Sequence, residues 1–526
     1  MITNVQKNLA AGLPYDIVDI DGVIETGQRV LTNGRRAMLC ASDEEWVRFS
    51  GGTTRGIILN LGGERAVGRV ALRFMQQTEV KIFFPATVSL YASMDGVEWG
   101  LVSHLPSSMP IWAPGPPHEQ VYEWDCKRDG LRGRDRIGAA CRARFVKVTL
   151  TADLNLMADE LEVWGTDADE HDAATALPVQ PSYMPPGMHT ADIANMVLLY
   201  NGHYANGCGN WTKEALTPYI AYENEQGELK DWMFDGVLLL GISTPGGLSF
   251  ETGSADIMRE WNWYLDKTFA AGGDLAELNR ATGVAARVLN DKQRRTKVVL
   301  MVPSPGELTS SFQVIDGKLG IRGDRPPTGA EALAMKCSLL GWYLEQVRQR
   351  WETAGYAHLQ LSGMYWLSEG VSCDIPQEDT LIRYVSGLVH DQGLKYFWIP
   401  FFYGGRSYDW KDLGFDAVVL QPNHFFNDTG EERIRDTAHL AQLYRVGVEM
   451  ECDERMNEEP AMRRKYIEYL NGGVKYGYMK QAFKAYYQGS TSLLDSARSS
   501  DPLNRQLYDW TYQFIQGSYT VKGCEQ

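Results

Sequence analysis

The chain has 526 residues, 44% of them hydrophobic and 22% charged, the balance of a folded protein of two or three domains with a sizeable core. Its net charge of −16 weighs against nucleic acid and anionic membrane surfaces as partners, because both are held by basic patches. No run reaches the roughly 20 apolar residues that a membrane-spanning helix needs.

Met1–Pro14 lacks the basic and then apolar build of a secretory leader, so the chain as written is expected in the cytoplasm, and outside the cell only if an upstream leader was removed. The eight cysteines are scattered without a CxxC pair, which points to buried thiols rather than a zinc site or a disulfide framework. Trp and Tyr are abundant, and both sugar sites and large cores use such rings.

From Tyr15 to Gly165 the chain reads as short strands punctuated by Gly, Asp and Asn. Ile57–Leu61, Val67–Phe74, Thr87–Ala92 and Arg144–Thr151 are the clearest. In the last, Val146, Val148 and Leu150 alternate with Lys147 and Thr149, the pattern of a half-buried antiparallel strand. Asp95-Gly96 marks a hairpin. Several motifs follow in order: Leu31-Thr32-Asn33-Gly34, Trp46-Val47-Arg48-Phe49, Val88 to Trp99, Phe145-Val146-Lys147-Val148 and Glu160 to Gly165. Together they resemble the discoidin, or coagulation factor 5/8 type C, jelly roll. The resemblance implies an eight-stranded sandwich whose loops bind sugar in some members and serve as a spacer in others. Trp112 is either a sugar platform or a packing residue. Residues 1–165 are therefore expected to form an all-β jelly-roll sandwich, a candidate carbohydrate-binding module.

Residues 166–188 carry Asp167, Asp169, Glu170 and Asp172 and then Pro178, Pro181, Pro185 and Pro186. Such a run has little to pack and reads as a linker.

Beyond it, eight buried-strand runs alternate with helical segments: Ala194–Asn201, Phe234–Gly241, Lys297–Pro303, Leu359–Leu367, Lys395–Phe402, Phe415–Gln421, Val446–Cys452 and Tyr478–Tyr486. Leu333, Cys337, Leu340, Leu344, Val347 and Trp351 make one helical stripe. Strands that alternate with helices imply a parallel sheet, and eight of them over residues 189–526 predict a (β/α)8 TIM barrel. No glycine-rich phosphate turn follows the first strand, no lysine ends the sixth, and no His-x-His pair occurs. No cofactor and no metal are therefore expected.

In such a barrel the strand C-terminal ends face the substrate. Here they offer Tyr200 and Asn201, Ser243, Ser304, Glu369, Tyr403, Asn423 and His424, Glu449 and Glu451, and Tyr486 and Tyr487. Glu449 and Glu451 are two apart and share one face of the seventh strand. Two carboxylates in a core need a purpose or partners, and Lys480 or Lys484 is the candidate partner. Of Tyr365 and Trp366, one is expected in the barrel core and the other along a sugar subsite. Asn423 and His424 are read as hydrogen-bonding sugar or a catalytic carboxylate, with a loop cap as the alternative. Asp235 is read as structural. The connection Leu248–Arg295 is long enough to wall one side of the cleft.

An acid on strand four and another on strand seven resembles the large retaining glycosidase clan built on (β/α)8 barrels, in which the first is the acid/base and the second the nucleophile. That clan usually has Asn before the strand-four acid, and Ser368 stands there in this chain. The run Gly363-Met364-Tyr365-Trp366-Leu367-Ser368-Glu369-Gly370 resembles, more closely, the bacterial barrel family called domain of unknown function 4855. That resemblance extends over about Ala194–Gly517 and supplies no substrate. The expectation is a glycoside hydrolase acting on a poly- or oligosaccharide by two-carboxylate chemistry, with retention. Glu369 is the expected acid/base and Glu451 the nucleophile, with Glu449 in reserve. Tyr403, His424 and Lys484 are the expected supports of Glu451. The alternatives are a carbohydrate-binding protein with a degenerate barrel, and a lyase or transglycosidase using the same acids.

Overall fold

The computed structural model describes residues 6–523 apart from 51–52, 110–113, 133–137, 152–153, 168–172, 205–206, 255, 310, 316–317, 324, 372 and 374. Trp112 lies outside the described residues. The chain divides into two compact units, one of residues 1–181 with 372–374 and 403–408, the other of the remainder.

The first unit is β-rich, ten strands in one hydrogen-bonded network whose strand pairings are all antiparallel, with a short α-helix, Cys126–Asp129. Its axis is a single strand, Arg55–Gln76, which pairs with Tyr15–Val18, His118–Asp125, Cys141–Thr151 and Asn155–Asp167. The sequence pattern suggests two strands here because polar residues interrupt the alternation. Between Asn60 and Arg65 the register against Cys141–Thr151 shifts, and Gly62 takes φ +76°, so the strand bends without ending. The expected alternation holds further on: Val146, Val148 and Leu150 are buried in the core with Trp124 and Phe74. The expected hairpin joins Thr87–Ser93 to Gly100–Pro106, and the Asp95 carboxylate accepts from the Val97 and Glu98 amides at 2.8 and 2.9 Å.

The Pro-rich run at the end of this unit packs more than its composition suggests. Ala174 and Ala176 are buried, and the Val179 amide donates to the Trp99 carbonyl at 3.1 Å. Tyr183 and Met184 are buried in the second unit, where the Met184 amide donates to the Val446 carbonyl at 3.1 Å.

The second unit is a closed barrel of eight strands in the order β1 (Asn195–Tyr200), β2 (Gly236–Leu240), β3 (Thr296–Val302), β4 (Leu359–Trp366), β5 (Lys395–Trp398), β6 (Ala417–Leu420), β7 (Gly447–Glu451) and β8 (Lys484–Tyr487). Every pairing is parallel, including β8 with β1. The helical stripe expected from Leu333 to Trp351 is the helix Gly329–Ala354, which buries Leu340, Leu344 and Val347. Two expectations need correction. The eighth strand begins at Lys484, because Tyr478–Gln481 forms a helical turn after Gly477 at φ +87°. Strict alternation also fails between β5 and β6, where the connection holds a 3-10 turn, Ser407–Asp409, and no α-helix.

Asp235 lies ahead of β2, and its carboxylate accepts from the Ala194 and Asn195 amides at 3.0 and 2.9 Å. It clamps the strand starts, in keeping with its structural reading. The parallel register decides what faces the lumen. Glu449 pairs beside Ala485, Glu451 beside Tyr487 and Tyr365 beside Phe397. The charges of Glu369 and Glu449 act on the Tyr365 hydroxyl, and β4 and β7 are not neighbours, so the face they share is the barrel interior.

Gly363 lets β4 approach β5: a Cβ there would sit 2.4 Å from the Phe397 ring and 2.5 Å from the Lys395 carbonyl oxygen. Gly363→Ala should therefore destabilise the barrel by about 1–3 kcal/mol through overpacking. A fall of several degrees in its thermal midpoint is the expected result, checked by calorimetry.

Candidate active site

Four carboxyl groups gather at the C-terminal mouth of the barrel. Glu369 follows β4, Glu449 and Glu451 belong to β7, and Glu251 lies in the connection after β2. Glu369 reaches solvent at the rim, yet the protein packed around its carboxyl raises its pKa. The charge of Glu251 adds to that rise, and a hydrogen bond with Gln421 opposes it. Glu251 is also raised, first by desolvation, and a hydrogen bond from Ser368 lowers it. The serine standing where the retaining clan has Asn therefore contacts this additional acid.

Glu451 and Glu449 are each 1% exposed, and burial is the first cause of a raised pKa in both. Their surroundings differ. The Tyr469 hydroxyl donates to Glu451 Oε2, and Asn423 Nδ2 donates to Oε1 at 3.4 Å. The Arg433 charge favours the anion as well. Tyr469 is oriented in turn, its oxygen accepting from the His424 and Phe425 amides at 3.2 and 3.3 Å. Among the described residues Glu449 Oε1 has no hydrogen-bond partner, and Glu451 and Glu369 both raise its pKa further. The hydrogen bonds and the Arg433 charge thus favour the anion at Glu451, while Glu449 receives no such support from the described residues.

Tyrosines line the same mouth. Tyr365 is buried beneath Glu369, Glu449 and Glu251, all of which act on its hydroxyl. Tyr200 meets Tyr487 edge-on at 5.8 Å, and Tyr487 meets Phe426 at 5.5 Å. Phe426 is 42% exposed.

The structure brings Glu369, Glu449, Glu451, Tyr200, Tyr365 and Asn423 together and removes the other candidates. Trp366 follows Tyr365 by one residue, points off the lumen and is fully buried. Tyr486 is likewise one residue out of phase with Tyr487: its hydroxyl donates to Asn195 at 2.8 Å and its ring packs on Phe234. Asn201 is sealed behind β1, its amide spent on Thr268, Asp274 and Tyr264 at 2.8–3.1 Å. His424 is buried with Nδ1 at 3.0 Å from Thr429 and Nε2 at 2.7 Å from Glu468, so its ring serves the scaffold and only its backbone amide serves the site, through Tyr469. Tyr403 lies in the 403–408 segment of the first unit. Lys484 does not support Glu451: it too is out of phase with the lumen, and its ammonium donates to the carbonyls of Met479 and Ala482 at 3.0 and 2.8 Å.

Sequence reading missed the roles of Tyr469, Gln421, Arg433 and Glu251. Gln421 was accessible to counting, since it shares the parity of Val419, which pairs beside Gly447. Tyr469 and Arg433 sit on helices, where nothing in the local pattern separates them from other buried residues.

A closed parallel barrel with acids at the ends of β4 and β7 and a further acid after β2 defines the class of protein: a barrel with a multi-carboxylate mouth. The chain belongs to the family described as domain of unknown function DUF4855, whose model matches residues 195–513. No curated protein matches it. Among solved structures, chitosan-binding module 1 of a chitosanase/glucanase from Paenibacillus sp. IK-5 is 17% identical with a TM-score of 0.19, covering 30% of this chain and 99% of that one. The Clostridium perfringens protein CpGH89CBM32-6 is 12% identical with a TM-score of 0.20, covering 30% and 99%. A GH29 fucosidase of Ruminococcus gnavus in complex with fucose is 17% identical with a TM-score of 0.19, covering 32% and 28%. No helix among the described residues is long and apolar enough to cross a membrane, and no described cluster of three His, Cys, Asp or Glu residues could hold a metal ion.

The burial of Glu449 has a measurable consequence. A carboxyl kept neutral in the folded state contributes fully below the ordinary range near about 4.3 and loses that contribution as pH rises towards its folded-state pKa. Glu449→Gln removes the loss. Its thermal midpoint should stay near or below wild type at about pH 4.5 and exceed it by a margin that widens towards about pH 8.5. A margin that stayed flat over that interval would mean that Glu449 is not held neutral.

Proposed function

We propose that the second unit is a (β/α)8-type glycoside hydrolase that cleaves a poly- or oligosaccharide with retention, using Glu369 as acid/base and Glu451 as nucleophile. The observation that carries this reading is the unequal treatment of two acids on opposite sides of one lumen. Glu369 sits at the rim with its pKa raised by burial and by Glu251, which suits a group that must hold a proton. Glu451, whose pKa burial raises to about 8, is met by Tyr469, Asn423 and the Arg433 charge, each of which lowers it towards the anion that a nucleophile must become.

In the first step Glu369 gives its proton to the leaving glycosidic oxygen while a Glu451 oxygen bonds to the anomeric carbon. In the second step Glu369 takes a proton from water, whose oxygen displaces Glu451 from that carbon. Tyr200, Tyr365 and Tyr487 offer ring faces and hydroxyls to the sugar. The first unit, on its resemblance to discoidin-type sandwiches, is proposed to hold the polymer near the barrel without taking part in the chemistry. Its removal should lower turnover of polymer more than turnover of a small aryl glycoside, because tethering matters only for the large substrate.

Carbohydrate binding without hydrolysis is a second reading, favoured by the 1% exposure of Glu451. Intact sugar binding with a flat activity screen would select it.

Glu451→Gln should lower kcat by roughly a thousandfold or more, as loss of a nucleophile does. Glu369→Gln should impair poor leaving groups far more than activated aryl glycosides, which need no protonation. Tyr469→Phe should reduce kcat by about ten- to hundredfold, the worth of a hydrogen bond to a charged group, and move the acidic limb of the pH profile upward. NMR of the first-formed product should show the substrate's anomeric configuration. Wild-type turnover in both glutamine variants would exclude the assignment.

A further inference from the structure

The mouth of the barrel is strongly one-signed. Glu251, Glu369, Glu449 and Glu451 converge there, with Asp453 and Glu454 acting on Tyr487 at its edge. Among the described residues, no lysine or arginine charge acts on Glu251, Glu369 or Glu449. Arg433 is the cation that acts on Glu451; it is buried, its guanidinium 4.2 Å from the Phe402 ring centroid and donating to the Pro422 carbonyl at 3.2 Å.

The groups that face Glu449 are Glu451 on its own strand, Glu369 and Tyr365 from β4 and its end, and Tyr487 from β8. Each is acidic or neutral. Glu449 is nine-tenths buried and more, and its Oε1 has no partner among the described residues. Retaining hydrolysis needs two carboxyls, and Glu449 is surplus to that chemistry. A buried carboxyl oxygen without a partner is destabilising, and at the mouth of a site a ligand donor would compensate it.

From this we infer that the site takes a glycan containing a sugar with a free, protonated amine, an unacetylated hexosamine, and that Glu449 is the counter-ion of that ammonium group. The inference rests on the glycosidase reading for the orientation of the sugar and goes beyond it in naming the substrate class. An ammonium group supplies the hydrogen-bond donor and the positive charge that the protein withholds. A uronate or sulfated sugar would add a like charge to four carboxyls, and a neutral or N-acetylated sugar offers Glu449 a hydrogen bond but no positive charge against the neighbouring acids. On binding, the carboxyl of Glu449 ionises against the ammonium group and its proton passes to the buffer. The complex thus contains one carboxylate–ammonium pair in place of a carboxylic acid and a free ammonium ion.

The experiment is isothermal titration of the full chain with the methyl glycosides of glucosamine and galactosamine, their N-acetylated forms and methyl glucuronide. Each is run in two buffers of unlike ionisation heat. The expected result is that an amino sugar binds best and that its heat depends on the buffer, as proton release requires. Glu449→Gln should weaken amino-sugar binding by about tenfold or more and abolish the buffer dependence. Glu251→Gln, a change at an exposed position, provides a second variant: it should weaken the same ligand less and keep the proton release. Equal or tighter binding of the N-acetylated forms, or unaltered amino-sugar binding in Glu449→Gln, would overturn the inference. If amino sugars bind as expected and no amine-bearing aryl glycoside is cleaved, the hydrolase reading fails and this inference stands. If neutral glycosides are cleaved through Glu369 and Glu451 without amine binding, the reverse holds.

Discussion

Two carboxyls two residues apart on one face of a buried strand are costly, and much of the barrel mouth is organised around that cost. β7 places Glu449 and Glu451 side by side in the lumen, each 1% exposed. Desolvation raises both pKa values, so neither can be ionised without help. The help for Glu451 comes from three separate elements. Tyr469 reaches it from the helix Pro460–Lys475, Asn423 from the turn after β6, and the Arg433 charge from the helix Glu432–Tyr444.

The turn after β6 shows how backbone serves that purpose. Asn423 takes φ +52°, the left-handed region that Asn tolerates better than most residues. In that conformation its side chain donates to Gln421 at 3.2 Å and to Glu451, and it accepts from the Phe402 amide at 3.0 Å. The next two amides, of His424 and Phe425, point at the Tyr469 oxygen and leave its hydroxyl hydrogen for Glu451. Lys465 closes the loop from outside by donating to the His424 carbonyl at 2.8 Å. A carboxylate on one strand is thus held by a turn on another and a helix behind both.

Other polar residues near the strand ends serve stability instead. Asn201 joins Tyr264, Thr268, Asp274 and Lys267 in a buried network behind β1, with Lys267 at 2.6 Å from Asp274. His424 joins Glu468 and Thr429 outside the lumen. Each satisfies groups that would otherwise be buried without partners. Among the described residues Glu449 Oε1 has no partner, a condition it shares with other buried atoms such as Trp366 Nε1 and Tyr396 Oη; Glu449 differs from those in that the charges of Glu451 and Glu369 also act on it.

The sequence alone showed the β-rich first unit, the eight barrel strands and the places of Glu369 and Glu451 at strand ends, because these follow from short-range periodicity; the pairing of the two as catalytic acids came from the resemblance to the retaining clan and is a proposal. Period-two apolar runs locate strands, and residues at strand ends follow from counting. Parity, known from the chain, would also have excluded Trp366 and Tyr486 had Tyr365 and Tyr487 been taken to face the lumen. The tertiary structure alone decided which acid is supported and by what. Tyr469 lies 18 residues from Glu451, Glu251 lies in a connection between other strands, and Lys484, adjacent in register to Val448, turns out of phase with both glutamates. Hydrogen-bond partners of a buried group are chosen by proximity after the barrel closes, and closure brings together strands and helices whose separation along the chain carries no trace of that choice.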